Sequence, residues 1–248
     1  MSVPPAPDLS VVIPAYNEAE RLPPTLSKIR SYLEGRGGSF EILVVDDGSR
    51  DDTARGAEAL GAEVVRNDRN RGKGFSVRRG MLLARGARRL MTDADLSTPI
   101  EDLPRLLEAM DQGYGVVIAS RALPGSNIEV RQPWYRENMG RVFNWCVRLL
   151  AVPGLQDTQC GFKLFRADAA RDAFEGARLD GFSFDVEALF LARRHGHRIA
   201  EVPVTWRNDA ASRVGTLSGS VAFLDLLRIR SNGWRGRYPR HKGAPQGL

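Results

Sequence analysis

The sequence predicts an α/β fold, a mainly parallel central sheet flanked by helices. Three observations point there. Short apolar runs rich in β-branched residues recur along the first half of the 248-residue chain. Stretches of helical spacing separate them, and unusual polar motifs follow the runs rather than interrupt them. Strands joined through helices make right-handed crossovers and hence parallel pairing. Ligands sit at the carboxyl ends of such strands, so polar motifs are expected at those ends.

Leu9-Ser-Val-Val-Ile-Pro14 reads as a buried strand by its length and β-branching, closed by its proline. From Ala19 to Arg36 helical spacing places Leu22, Leu26, Ile29 and Leu33 on one face, and Gly35, Gly37 and Gly38 end the helix. Phe40 to Asp46 is a second strand, Asp52 to Leu60 a helix stopped by Gly61, and Glu63 to Arg66 a third strand. A helix from Phe75 to Arg85 leads to a fourth strand, Arg89 to Thr92, and Gly115 to Ser120 is a fifth. Ala15-Tyr-Asn-Glu18, Asp46-Asp-Gly-Ser49, Asp93-Ala-Asp95 and Ser120-Arg121 follow the first, second, fourth and fifth strands. The second half is less regular. It offers an amphipathic helix from Trp134 to Leu150, a strand-like alternation from Gly161 to Arg166, a helix from Phe184 to Arg194 and an extended segment from Ile199 to Trp206. Without repeats or a low-complexity linker, the chain reads as a flexible N-terminus at 1–8, one α/β domain over 9–215, and a C-terminal amphipathic helix with a basic tail over 216–248.

Hydrophobic residues at 42% and charged residues at 27% exclude a disordered chain. No run approaches the roughly 18–20 apolar residues of a spanning helix. Met1 to Asp8 lacks the basic and apolar regions of a signal peptide, so cytoplasmic residence is expected. Cys146 and Cys160 read as free thiols, and with His195, His197 and His241 they give no zinc spacing. A formal charge of +6 calls for an anionic partner. Arg228, Arg230, Arg235, Arg237, Arg240 and Lys242 make the tail basic, with only Trp234 and Tyr238 as aromatic neighbours. That sparse interleaving argues against nucleic acid as the partner. Val221, Leu224 and Leu227, with Phe223 and Leu226 beside them, give the preceding helix a broad apolar face. Such a helix either lies in an anionic membrane interface, peripheral to the cytoplasmic side, or packs on the domain.

The acidic motifs carry the chemistry. Asp93 and Asp95, two apart at the end of a buried strand, can converge on one cation; an ordinary polar turn is the plainer alternative. Hard oxygen ligands without histidine or cysteine favour Mg²⁺ or Mn²⁺, whose open positions can take a diphosphate leaving group. Asp46 and Asp47 stand where a carboxylate accepts hydrogen bonds from a ribose or base, while Asp51 and Asp52 suit a helix start. In Asn70-Arg-Gly-Lys-Gly-Phe-Ser-Val-Arg78 the glycines let the backbone approach a ligand, and Arg71, Lys73 and Arg78 supply positive charge. Walker A spacing is absent, and no glycine-rich turn follows the first strand, which disfavours a dinucleotide fold and a sugar nucleotidyltransferase.

Taken in order, Pro14-Ala-Tyr-Asn-Glu18, Val45-Asp-Asp-Gly-Ser-Arg-Asp-Asp-Thr53, Asn70-Arg-Gly-Lys-Gly74 and Asp93-Ala-Asp95 resemble the inverting family 2 glycosyltransferases of the GT-A fold. Asp157-Thr-Gln-Cys-Gly-Phe-Lys-Leu-Phe165, Phe184-Asp-Val-Glu187 and Glu201-Val-Pro-Val-Thr-Trp206 are similar to the dolichyl-phosphate β-glucosyltransferases within it, with the dolichyl-phosphate mannose synthases next. The likeness runs from about Leu9 to Arg230. It implies a nucleotide-diphosphate sugar donor, UDP-glucose before GDP-mannose, a polyprenyl phosphate acceptor, and Mg²⁺ or Mn²⁺. By the same resemblance Pro14, Ala15, Tyr16 and Glu18, with Asp46 and Asp47, hold base and ribose, and Gly72, Lys73 and Ala94 contact the donor. Asp93 and Asp95 hold the metal, Asp95 taking part in catalysis. Arg121 and Arg136 meet phosphate oxygens of the acceptor, and Lys163 assists with phosphate charge. A hydroxyl acceptor would need a general base, whereas a phosphate, with a second pKa of about 6, would not. Asp157 and Asp185 are the candidates for that base or, alternatively, for fixing a loop or capping a helix.

Overall fold

The computed structural model describes residues 5–130, 134–207 and 218–239. Along the chain run β1 (Leu9–Ala15), α1 (Leu22–Arg36), β2 (Phe40–Asp46), α2 (Thr53–Ala59), β3 (Glu63–Arg66), α3 (Lys73–Leu83), β4 (Arg88–Thr92), α4 (Leu103–Asp111), β5 (Val116–Ser120) and β6 (Asn127–Val130). There follow α5 (Trp134–Leu150), β7 (Phe162–Arg166), α6 (Ala167–Phe174), α7 (Phe184–Arg194), β8 (Ile199–Pro203), β9 (Thr205–Arg207) and α8 (Ser218–Trp234). The main sheet has the order β3-β2-β1-β4-β7-β5-β8, and β6 pairs with β9 apart from it. Every neighbour in the main sheet is parallel except β7, which runs against both β4 and β5.

Alternation along the strands divides the core into two layers. In β1, Val11 and Ile13 face Leu26, Ile29, Leu106 and Leu107 from α1 and α4, while Val12 faces Val77 and Met81 of α3 on the other side. The second layer also takes Phe143 and Val147 from α5, Leu189 from α7, and Leu226 and Ile229 from α8. Phe223 meets Phe143 edge-on at 5.6 Å between ring centroids. The C-terminal helix is therefore packed on the domain along one side, and its other side exposes Leu224, Leu227 and Trp234. Among the described residues no helix is long and apolar enough to cross a membrane.

Local chemistry shifts two of the expected boundaries. The first helix starts at Leu22 rather than Ala19, because the Glu18 carbonyl accepts the Arg21 and Leu22 amides in a turn entered through Asn17 at φ 55°. Pro23 and Pro24 then sit in the first turn, where their missing N–H groups are not needed. The extended segment expected from Ile199 to Trp206 divides at Val204, β8 joining the main sheet and β9 the small one.

Candidate active site

Parallel register brings the ends of β1 and β2 to one edge, Ala15 opposite Asp46. The end of β4 meets the start of β7 there, Thr92 opposite Phe162, which sets Asp93 against Gly161. Asp93 and Asp95 leave β4 in a tight turn. The Leu96 amide donates to the Asp93 carbonyl (3.1 Å) and the Ser97 amide to Asp95 Oδ1 (3.0 Å). Leu96 adopts φ 48°, a conformation side chains disfavour, and its packing against the first core layer holds it there. Ala94 is buried between the carboxylates, its carbonyl accepting the Thr25 hydroxyl at 2.7 Å. Ala94 thus helps shape the turn.

Charge accumulates at this edge. Burial, and then the Asp93 charge, push the Asp95 carboxyl above its usual range. Lys73 Nζ lies 2.6 Å from Asp93 Oδ1. Burial works against the Lys73 ammonium, but Asp93 and then Asp185 more than offset it and raise its pKa.

The glycine-rich turn is built differently from expectation. Asp47, buried, accepts the Asn67 side-chain amide (2.7 Å), the Arg71 amide (2.9 Å) and the Gly72 amide (2.8 Å). The Asp180 carbonyl accepts the Gly74 amide at 2.8 Å. A Cβ on Gly72 would stand 2.4 Å from that carbonyl, and one on Gly74 2.6 Å from the Leu179 carbonyl. These glycines admit the 179–181 loop, and the Arg71, Gly72, Gly74 and Phe75 amides are engaged within the protein. Asp47 consequently organises the loop. Asp46, fully buried, accepts the Ser49 amide and pairs with Arg66 at 2.8 Å. Pro14 and Ala15 lie buried in β1; Tyr16 and Glu18 are half-buried beyond it, and Glu18 holds Arg21 through two contacts of 2.7 Å. Of the residues expected around a base and ribose, Tyr16 and Glu18 are the ones solvent reaches.

Two further ion pairs engage the second-half residues. Asp157 is 2% exposed and accepts the Arg121 amide, Nε (2.6 Å) and Nη2 (2.8 Å), and the Gln159 amide. Burial alone would raise its pKa, but the Arg121 guanidinium holds it below the usual carboxylate range. A carboxylate so engaged is a poor proton acceptor, and its contacts match the alternative in which Asp157 fixes Arg121 and its loop. The Arg121 guanidinium lies 5.2 Å from the Trp206 ring. Lys163 is 1% exposed, its ammonium bonded to the Cys160 carbonyl (2.6 Å) and Asp185 (2.5 Å). Lys163 and Asp185 thus form an ion pair closed to solvent on both sides. Arg136 belongs to α5, but its side chain lies outside the described residues.

Sequence reasoning missed Gly161. A Cβ there would stand 2.1 Å from Asp93 Oδ2, so only glycine admits the observed carboxylate position. A glycine immediately before a strand was the available signal, since it marks close approach by another group.

The donor set suits a divalent cation. Two carboxylates offer hard oxygens, and the raised pKa of Asp95 reflects its burial first and then the neighbouring Asp93 charge, both of which a bound cation would offset. Among the described residues no group of three or more His, Cys, Asp or Glu gathers, so further positions would fall to water and phosphate oxygens, the usual pattern for Mg²⁺.

The chain belongs to glycosyl transferase family 2, whose profile matches residues 10–174. It is a glycosyltransferase. It is 36% identical over 240 residues to a dolichyl-phosphate beta-glucosyltransferase of Dictyostelium discoideum, covering 90% of this chain and 73% of that protein. The human protein of the same name is 36% identical over 254 residues, 93% of this chain and 78% of the other. Glucosyl-3-phosphoglycerate synthase from Mycobacterium tuberculosis, solved with Mn²⁺, UDP-glucose and glycerol 3-phosphate, shares the fold at a TM-score of 0.68, with 19% identity over 91% of this chain and 80% of that one.

Proposed function

We propose that this enzyme transfers glucose from UDP-glucose to a polyprenyl phosphate, with inversion at the anomeric carbon. Similarity to proteins named dolichyl-phosphate beta-glucosyltransferase, over nine-tenths of the chain, supports the sugar and the acceptor. One observation supports the acceptor class: Asp157 and Asp185, the two candidates for a base, are both buried against cations. A hydroxyl acceptor would need such a base. A phosphate acceptor brings its own negative charge and needs none.

On this reading Asp93 and Asp95 hold Mg²⁺ or Mn²⁺, and Tyr16 and Glu18 lie nearest the nucleotide. When bound, the cation neutralises charge on the departing diphosphate. Lys73 adds a positive charge beside it, in a partly buried place where such charge acts strongly on a developing anion. Arg121, oriented by Asp157, turns its remaining donors to the acceptor phosphate, and Arg136 joins it there. Attack runs in line, opposite the diphosphate, through an oxocarbenium-like transition state.

The acceptor's tail lies in a lipid bilayer, and the outer sides of α5 and α8 suit its surface. Trp145 and Leu149 on one and Leu224, Leu227 and Trp234 on the other are exposed, with Arg228 and Arg230 beside them. Tryptophan and leucine flanked by arginine fit an anionic interface. Co-sedimentation with anionic vesicles that weakens with salt is expected; no binding at low salt removes the membrane from the account.

The decisive assay incubates the protein and Mn²⁺ with UDP-glucose, GDP-mannose and a polyprenyl phosphate, and identifies products by mass. A glucosylated lipid phosphate formed from UDP-glucose is expected. Exclusive mannosylation would reassign the donor, and the absence of any sugar-lipid product would reject the acceptor.

A further inference from the structure

We propose that Lys73 is a stand-in cation: its ammonium occupies Asp93 until a nucleotide diphosphate arrives with a divalent ion, then exchanges the carboxylate for a diphosphate oxygen. The inference rests on the metal reading of Asp93 and Asp95, and deepens it into an order of binding.

The backbone around Lys73 is fixed on both sides. The Gly72 amide is bonded to Asp47, and the Gly74 and Phe75 amides to the Asp180 carbonyl (2.8 and 3.3 Å). The flexible part is the side chain, which ends 2.6 Å from Asp93 Oδ1. The contact is buried at Asp93 Oδ1, but both side chains are partly exposed, at 27% and 31%, so the pair can part by side-chain rotation without unfolding. The neighbouring pairs differ. Asp157 and Asp185 are closed to solvent at 2% and 7%, and Lys163 is sealed with Asp185 at 1%. Lys73 is therefore the cation at this edge best able to change partner. An incoming diphosphate meets its ammonium first, because the Arg71, Gly72, Gly74 and Phe75 amides are already bonded.

A bare divalent ion would have to displace Lys73 and leave it without a partner. An ion arriving with a diphosphate gives the ammonium a new anion. Metal and nucleotide then strengthen each other's binding, and the coupling is reciprocal. Lys73→Met keeps the length of the side chain and removes its charge, which leaves Asp93 open to the bare ion.

The test titrates Mn²⁺ against the full chain, following free Mn²⁺ by its paramagnetic resonance signal, with and without UDP. Wild type is expected to bind Mn²⁺ weakly alone and more tightly with UDP. Lys73→Met should bind Mn²⁺ alone about fivefold more tightly, the scale of a part-exposed ion pair, and gain less from UDP. Lys73→Gln is the second variant should the first fail to fold, and Asp93→Asn in the same background should erase the gain. Unchanged or weaker affinity for Mn²⁺ alone in the lysine variants, with wild type still binding Mn²⁺ and UDP together, overturns the stand-in while leaving the metal site. Absence of Mn²⁺ binding in every sample overturns both.

Discussion

Gly161→Ala is expected to remove most transfer while the protein remains folded. The added methyl would stand 2.1 Å from Asp93 Oδ2 and 2.5 Å from its Cγ, roughly 1.3 Å inside the 3.4 Å at which ordinary contact begins. The backbone has little room to retreat, because β7 is paired on both sides and the Cys160 carbonyl is held by Lys163. The carboxylate must turn away instead, breaking the Lys73 contact and carrying its oxygens about 1 Å from their place. Misplacement on that scale costs about a hundredfold in rate. Overpacking of this kind costs about 1–3 kcal/mol in stability, which a domain of this size tolerates. The measurement pairs initial rates of glucosyl-lipid formation with a thermal melt. Gly35→Ala, where a methyl meets nothing within 4 Å, serves as the matched control. A Gly161→Ala rate within about twofold of the parent would refute the reasoning, since Asp93 would then not need the position that glycine permits.

Asp95→Asn should lower transfer by about a thousandfold with an unchanged circular dichroism spectrum, and near-normal turnover under strict chelation would reject the metal role. Asp157→Ala strands a guanidinium in a closed site and should cost about 3 kcal/mol in urea unfolding, the low end for a buried pair because Arg121 stays 26% exposed. Acid sensitivity follows from the same residue. Its folded pKa lies below the ordinary 3.8, so the unfolded chain binds more protons in acid and stability rises with pH there. That contribution is complete above about 3.8, fades as pH falls through the lower folded value, and should vanish in Asp157→Asn, flattening the acid limb of midpoint against pH. Tyr238→Phe removes the 2.6 Å hydrogen bond its hydroxyl donates to buried Glu187 and should cost about 1–3 kcal/mol by the same unfolding assay.

The sheet was legible because its strands are short, apolar and β-branched, and because a motif at the end of a parallel strand has one edge to occupy. The elements that escaped notice have physical reasons. In α4 the apolar positions Leu103, Leu106, Leu107 and Met110 do follow helical spacing, but Pro104 reads as a breaker until it is seen in the first turn. α6 presents its buried side through Ala169, Ala170 and Ala173, too small to stand out as an apolar stripe. β6 is four residues long and mostly exposed. At the site, residue types located the carboxylates and cations but not their partners. Asp47 and Asp157 are identical to a ribose ligand or a base on the page of sequence, and only their surroundings, Asn67 and the 71–72 amides in one case and Arg121 in the other, reveal that they fix loops. The partner of Lys163 was hidden for the same reason, since Asp185 lies 22 positions along the chain. The Gly72 and Gly74 pair announced close approach correctly; what approaches is the 179–181 loop.

The reversed strand β7 separates two tasks that the chain must perform. It re-enters the sheet between β4 and β5, so the detour that leaves at Ser120 returns at Phe162 on the adjacent strand. Both ends of that detour are clamped by sheet pairing, so β6 and the exposed side of α5 can change character without tugging on β4. Relatives that exchange one acceptor for another could therefore rewrite this cassette while the acidic turn at the end of β4 stays where it is. The anchorage is asymmetric in one respect: Gly161, the final residue of the cassette, touches Asp93, and it is the point at which such rewriting must stop.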